Sequence, residues 1–131
     1  MAKNSILQQW VLLSIVFHFS IFVNGSKNVR LAGSIIPLEG RVEVYHQGEW
    51  GTVCSRGWSS YSNNKDVVCR ELGFTQGRTF NHEYPGTGTV WLDGVVCNGE
   101  EKSIIDCTHN TMGDSSCSHD EDVTVQCKLL E

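Results

Sequence analysis

Cys54, Cys69, Cys97, Cys107, Cys117 and Cys127 are the six cysteines of this 131-residue chain. What they can form depends on the compartment they reach, and the N-terminus speaks to that. Lys3 supplies a positive n-region, Trp10 to Val23 reads WVLLSIVFHFSIFV, and Val23-Asn24-Gly25 ends the run on a small residue. Residues 1–25 therefore have the anatomy of a secretory signal, with cleavage expected after Gly25. The other reading is an uncleaved signal anchor that would leave the protein membrane-associated. Against it, the apolar run is short for a span of about 20 residues, and His18 interrupts it. An even cysteine number behind such a signal implies three disulfides made in an oxidising compartment. A zinc site would need close pairs such as C-x-x-C, whereas the tightest spacing here is nine intervening residues, three times in succession from Cys97 to Cys127. Spacing does not choose among the many possible pairings.

Removing the signal leaves residues 26–131, enough for one domain with a modest core. Ten basic and fifteen acidic residues give the chain a formal charge of −5, and loss of Lys3 makes the mature balance nine to fifteen, a net of −6. That balance argues against a nucleic-acid groove. An apolar content of 40% with four Trp argues against disorder. No second apolar run of spanning length follows, so the expectation is a secreted, extracellular, monomeric domain with no membrane span after cleavage.

Along the mature chain, Arg41 to Tyr45 (RVEVY) alternates as a half-buried strand, Gln47-Gly48 signals a turn, and Trp50 to Cys54 (WGTVC) reads as the returning strand. The stretch NNKDVVCRELG carries the one helix, expected over Asn64 to Leu72. Asn63 is read as its N-cap, Asp66 sits in the first turn, the pairs Asp66/Arg70 and Val68/Leu72 are four apart, and Gly73 stops it. Thr75 to Thr89 is rich in Gly and polar residues and reads as a long surface loop. Thr89 to Val96 reads as a strand, Glu100 to Asp106 as a helical turn or two, Thr108 to Ser118 as loop, and Asp122 to Cys127 as a final strand. Short strands with one helix make an α+β domain.

The stretches GRVEVYHQGEWGTVC, DVVCRELGF, VWLDGVVCNGEE, SIIDC and HDEDVTVQC occur in this order. Together they resemble a scavenger receptor cysteine-rich (SRCR) domain over a core of about residues 29–128, with the six-cysteine pattern of the family's group A. The resemblance implies a small disulfide-stapled α+β domain, a curved antiparallel sheet cradling one α-helix. It implies the pairs Cys54–Cys117, Cys69–Cys127 and Cys97–Cys107. It also implies a binding module rather than an enzyme.

Many members of the family bind through acidic residues that hold calcium, and calcium takes several oxygen ligands. Where the family typically reads CDDGWD, this chain reads CSRGWS, so Ser55, Arg56 and Ser59 stand at the three acidic positions. Asp120, Glu121 and Asp122 remain in the ending, and Asp93 remains in WLDGV, where Gly94 replaces a second acid. Arg56, Asp93, Asp120, Glu121 and Asp122 are therefore the candidate ligand-binding residues. No metal and no cofactor are expected, and the Arg56 guanidinium is placed where the cation would stand, as the countercharge of Glu121. The competing reading has both side chains pointing into water.

His46, His82, His109 and His119 show no HExxH or i,i+4 pairing and read as surface or locally bonded residues. Ser55 with His119 lacks a GxSxG elbow, so catalysis is not expected. Trp50, Trp58 and Trp91 read as sheet and core aromatics, and Glu100-Glu101 as a solvated charge pair. The expected function is a secreted ligand-binding module of scavenger-receptor or innate-recognition type. Its partner would be an extracellular protein or a microbial surface. The alternative is a structural or adhesive protein-interaction module, or one piece of a larger multidomain receptor. The net charge and the altered acidic set weaken a polyanion ligand and give weight to a protein partner.

Overall fold

The computed structural model describes residues 26, 28–58, 63–80 and 83–129. Residues 1–25, where the signal is expected, and Ser59 and His82 lie outside the described residues. Six strands form one sheet: β1 (Val29–Ala32), β2 (Glu39–His46), β3 (Glu49–Val53), β4 (Gln76–Phe80), β5 (Val90–Leu92) and β6 (Thr124–Lys128). Their order is β4-β6-β2-β3-β5, with β1 also paired to β2. Every pairing is antiparallel except β3 with β5, which is parallel. Among the described residues one helix, α1 (Asn63–Glu71), lies between β3 and β4 in the chain, and short 3₁₀ turns occupy Ile104–Asp106 and His119–Glu121.

The alternation in RVEVY places Val42 and Val44 on the inner face, both fully buried, with Val29, Val53, Val125 and Leu92. The helix lays Val67, Val68 and Leu72 against this face, beside Trp58 and Ile104. The turn at Gln47-Gly48 takes positive φ at both residues, which matches the twist of the hairpin it closes. Gly73, also at positive φ, ends the helix, its N–H bonded to the Arg70 carbonyl.

The helix begins at Asn63, whose side-chain amide donates to the Cys97 carbonyl. Asn64 is fully buried and bonds twice to the opposite loop, donating to Val95 O (2.8 Å) and accepting from Cys97 N–H (2.9 Å). Arg70 donates to the carbonyls of Gly99 and Glu101, and Asp66 accepts the Gly77 N–H, so neither depends on the other.

The long loop expected over Thr75 to Thr89 is wrong in its first part, where β4 pairs with all five residues of β6. QGRTF has no apolar alternation and carries a glycine, and both features hide a strand. The glycine is required by its neighbour. A Cβ at Gly77 would collide with Cys69 Sγ and stand 3.1 Å from the Gln126 carbonyl. β1 is a second strand that its four residues did not announce. The strand expected to Val96 stops at Leu92, because Gly94 turns at positive φ and Val96 keeps only an isolated bridge to Thr108. The last strand starts two residues later than expected, at Thr124, and ends one later, at Lys128.

Cys54 is bonded to Cys117, Cys69 to Cys127, and Cys97 to Cys107, with sequence separations of 63, 58 and 10. Loop-closure entropy gives roughly 3 kcal/mol for the short loop and about 4 for each long one. Those terms rival the whole net stability of a small domain, about 5–15 kcal/mol.

Gly77→Ala is expected to destabilise the domain by about 1–3 kcal/mol, since neither the disulfide nor the β6 backbone can yield. Each kcal/mol corresponds to a fall in Tm of about 4–8 °C. An unchanged melting curve would show that β4 does not lie against the disulfide.

Candidate functional site

Residues 54–58 form a tight turn: the Trp58 N–H donates to the Ser55 carbonyl, and Gly57 takes a positive φ. The Ser55 N–H donates to the Glu121 carbonyl (2.8 Å), which brings the second 3₁₀ turn beside this one. Cys117, bonded to Cys54, holds the third segment. Arg56 extends into the space these three segments enclose. Its guanidinium is 3.5 Å from the Glu121 carboxylate and 3.8 Å from the Asp93 carboxylate, and it donates to Ser116 Oγ (3.2 Å). Asp93 is nearly buried and also accepts from Ser115 Oγ (2.9 Å). Arg56, Asp93 and Glu121 thus meet as one cluster, with Arg56 half-exposed.

Asp122 and Asp120 do not join it. The Asp122 side chain is almost fully buried elsewhere, accepting the Gly86 N–H (2.7 Å) and facing His119 Nδ1 (3.0 Å). His119 Nε2 lies 2.9 Å from the Gly88 carbonyl. This group fastens the segment 83–89 across the outer face of the sheet, helped by Arg41, which donates to the carbonyls of Tyr84 and Pro85. Asp120 is exposed on the 3₁₀ turn.

Thr52, His119 and Asp122 look like a hydroxyl–imidazole–carboxylate relay, but the geometry denies it. Thr52 Oγ1 and the Asp122 carboxylate approach the same ring nitrogen, and Thr52 is fully buried. A relay needs the two on opposite nitrogens. Ser55, the residue that sequence pairs with His119, contributes its backbone to the turn.

The outer face of β1, β2 and β3 carries Arg30, Arg41, Glu43, Tyr45 and Trp50. Glu43 lies between two guanidinium groups, with Arg30 and Arg41 each 2.6 Å away. Burial works to raise the Glu43 pKa, but the hydrogen bonds and charges of Arg41 and Arg30 outweigh it and hold the carboxyl below its usual range. Arg30 also stands 4.2 Å over the Trp50 ring, which leans on Tyr45. Further along the sheet, β4 and β6 present Gln76, Arg78, Gln126 and Lys128 around a shallow groove, with Arg78 stacked 4.2 Å over Phe80. This groove went unseen in the sequence because β4 itself did. Glu101, read as one of a solvated pair, accepts the N–H groups of Asn98 and Gly99 (2.9 Å each). Those bonds lower its pKa, the Asn98 one most.

Comparison with known proteins decides the lineage. The scavenger receptor cysteine-rich domain profile matches residues 32–128. The chain belongs to the SRCR family. The SRCR domain of mouse MARCO, crystallised in a dimeric form, is 42% identical, with a TM-score of 0.64 over 76% of this chain and 94% of that one. The third SRCR domain of murine neurotrypsin is 39% identical, with a TM-score of 0.66 over 79% and 97%. Among curated sequences, lysyl oxidase homolog 2 of Xenopus laevis is 48% identical over 104 residues, 76% of this chain and 13% of the relative. Human lysyl oxidase homolog 3 is 44% identical over 95 residues, 70% of this chain and 12% of the relative. The chain therefore spans about an eighth of the length of these curated relatives. It is an extracellular-type module. No described helix is long and apolar enough to cross a membrane.

The calcium that the family resemblance implied does not fit these residues. Ser55 and Arg56 replace two carboxylates, and the guanidinium stands between the two acids that remain close. Cys54 and Cys117 lie within ligand distance of Asp93, but both sulfurs are spent in the disulfide.

Two expectations follow. Extracellular calcium modules bind with dissociation constants of roughly 10⁻⁴ to 10⁻³ M even when intact. Calorimetric titration of this SRCR domain should therefore give no saturable heat at millimolar calcium, while Ser55→Asp with Arg56→Asp should create binding. Submillimolar binding by the native domain, abolished in Glu121→Gln, would overturn this. The second concerns acid. The folded pKa of Glu43 lies below its ordinary value of 4.5. The stability it adds is therefore present above pH 4.5 and is lost as pH falls through the folded value. Glu43→Gln should flatten that acid limb of the stability profile.

Proposed function

We propose that this SRCR domain is a secreted, non-catalytic ligand-recognition module of scavenger-receptor type, which engages anionic groups on extracellular or microbial surfaces without calcium. The observation that carries the reading is the β4–β6 groove. Arg78 and Lys128 are exposed on its rim, and Gln76 and Gln126 supply amides between them. Two cations flanking hydrogen-bond donors suit carboxylate, sulfate or phosphate. Stacking on Phe80 holds the Arg78 side chain and so lowers the entropy lost on binding. The net charge of −6 limits long-range attraction, so recognition rests on this local cluster.

A second reading is an adhesive module within a larger matrix protein. The identity to lysyl oxidase homologs favours it, as does the Arg56 cluster, which removes the cation many relatives would use.

The two readings part in one experiment. The folded domain is titrated against a sulfated polysaccharide and against fibrous matrix proteins, with calcium and with chelator. The first reading expects polysaccharide binding that is indifferent to chelator and falls with salt. Each charge-assisted contact is worth on the order of 1.5 kcal/mol, about tenfold, so Arg78→Glu with Lys128→Glu should weaken binding by about 100-fold or more. Binding only to matrix proteins, unaffected by the double reversal, would replace the first reading with the second.

A further inference from the structure

Ser26 is the first described residue, and its hydroxyl is fully engaged. It donates to Glu71 Oε1 (3.2 Å) and accepts the N–H groups of Asn28 and Val29 (3.2 Å each), turning the chain into β1. Glu71 is the last residue of α1 and also receives the Ser103 hydroxyl (2.9 Å) and the Ile104 N–H (3.1 Å). One carboxylate thus joins the start of the domain, the end of its helix and the first 3₁₀ turn. Burial raises the Glu71 pKa most, its hydrogen bonds oppose that, and the charge of Asp106 raises it further. Among the described residues no guanidinium, ammonium or imidazole stands within ion-pair distance of Glu71. Among the described residues, the site holds negative charge in a half-dry place without its opposite.

The sequence supplies the opposite by processing. The signal ends in Val23-Asn24-Gly25, with Ser26 next. Hydrolysis of the Gly25–Ser26 amide puts the water's hydroxyl on the glycyl carbonyl carbon and its proton on the Ser26 nitrogen. At neutral pH that nitrogen becomes an ammonium, because an α-amino group titrates near about 7.7–8.0. N, Cα, Cβ and Oγ are consecutive atoms of one residue, and Oγ already touches Glu71. We infer that signal cleavage makes a cation for this site: the new α-ammonium of Ser26 docks on Glu71, and the processed N-terminus completes the fold. An amide nitrogen at the same place, in an unprocessed or extended chain, carries no charge and cannot do this.

The test compares three secreted full-length domains: one beginning at Ser26, the same protein with its α-amine acetylated, and one left with Ala-Gly ahead of Ser26. Mass spectrometry of the natural secreted product should show Ser26 as its first residue. The free-amine form should melt about 4 °C above the other two. The carboxylate raises the amine's folded pKa, so while Glu71 is ionised the gap should be full below pH about 7.7 and close as pH rises through the folded value. In acid it closes again as Glu71, whose pKa is raised, takes up its proton. In Glu71→Gln the three forms should melt together. Should that variant fail to fold, the free and acetylated forms of the native sequence still decide. Equal melting of those two, or a natural N-terminus at another residue, would overturn the inference. Either result would leave the binding groove untouched.

Discussion

Between the end of β5 and the start of β6 the chain crosses from residue 93 to residue 123 with only two 3₁₀ turns as regular structure. Such a segment has too few backbone ladders to hold itself, and its ordering entropy is about 1–2 kcal/mol per residue. The disulfides supply what the ladders do not. Cys97–Cys107 closes the first loop on itself, Cys117 ties the second to the end of β3, and Cys127 locks the strand that follows to the helix. The rest of the structure depends on this. The helix can be as short as nine residues because its own cysteine is bonded to β6. Glycine is forced at position 77 because that bond fills the space. The cluster around Arg56 exists because Cys54–Cys117 brings its segments together.

Between these covalent points, a few polar side chains act as joints. Asn64 reaches from the helix to the backbone at Val95 and Cys97, Glu101 gathers the amides of its own loop, and Asp122 fastens the strap at Gly86. Each satisfies backbone groups that would otherwise cost about 1–3 kcal/mol apiece if buried and unpaired.

The parts of the fold legible in the sequence were those with a period or a punctuation mark. RVEVY alternates, Gln47-Gly48 turns, Val68 and Leu72 share a helical face, and Gly73 stops the helix. Those signals are local, and the structure follows them to within a residue or two. β4 was illegible because its residues are chosen by neighbours that are distant in sequence: a disulfide on one side and β6 on the other. Asn64 gave no signal for the same reason, since its two partners lie more than thirty residues away. In the candidate site, the substitution of Arg56 for an acid could be read against the family's pattern, and the cluster with Glu121 and Asp93 follows from it. Asp122 was grouped with them because it is adjacent to Glu121 in sequence. The backbone after the 3₁₀ turn is extended, and it sends that side chain under the segment at Gly86 instead.

Arg56 has a consequence for how the domain meets changing surroundings. A bound ion stabilises by mass action, as RT ln(1 + [L]/Kd), so its contribution rises and falls with the supply outside. A guanidinium on the same chain has no supply to follow. Its local concentration is set by two bonded turns and is the same in every compartment through which the protein passes. The acids at 93 and 121 therefore carry their countercharge from the moment of folding, and chelators or dilution have no handle on that corner of the molecule.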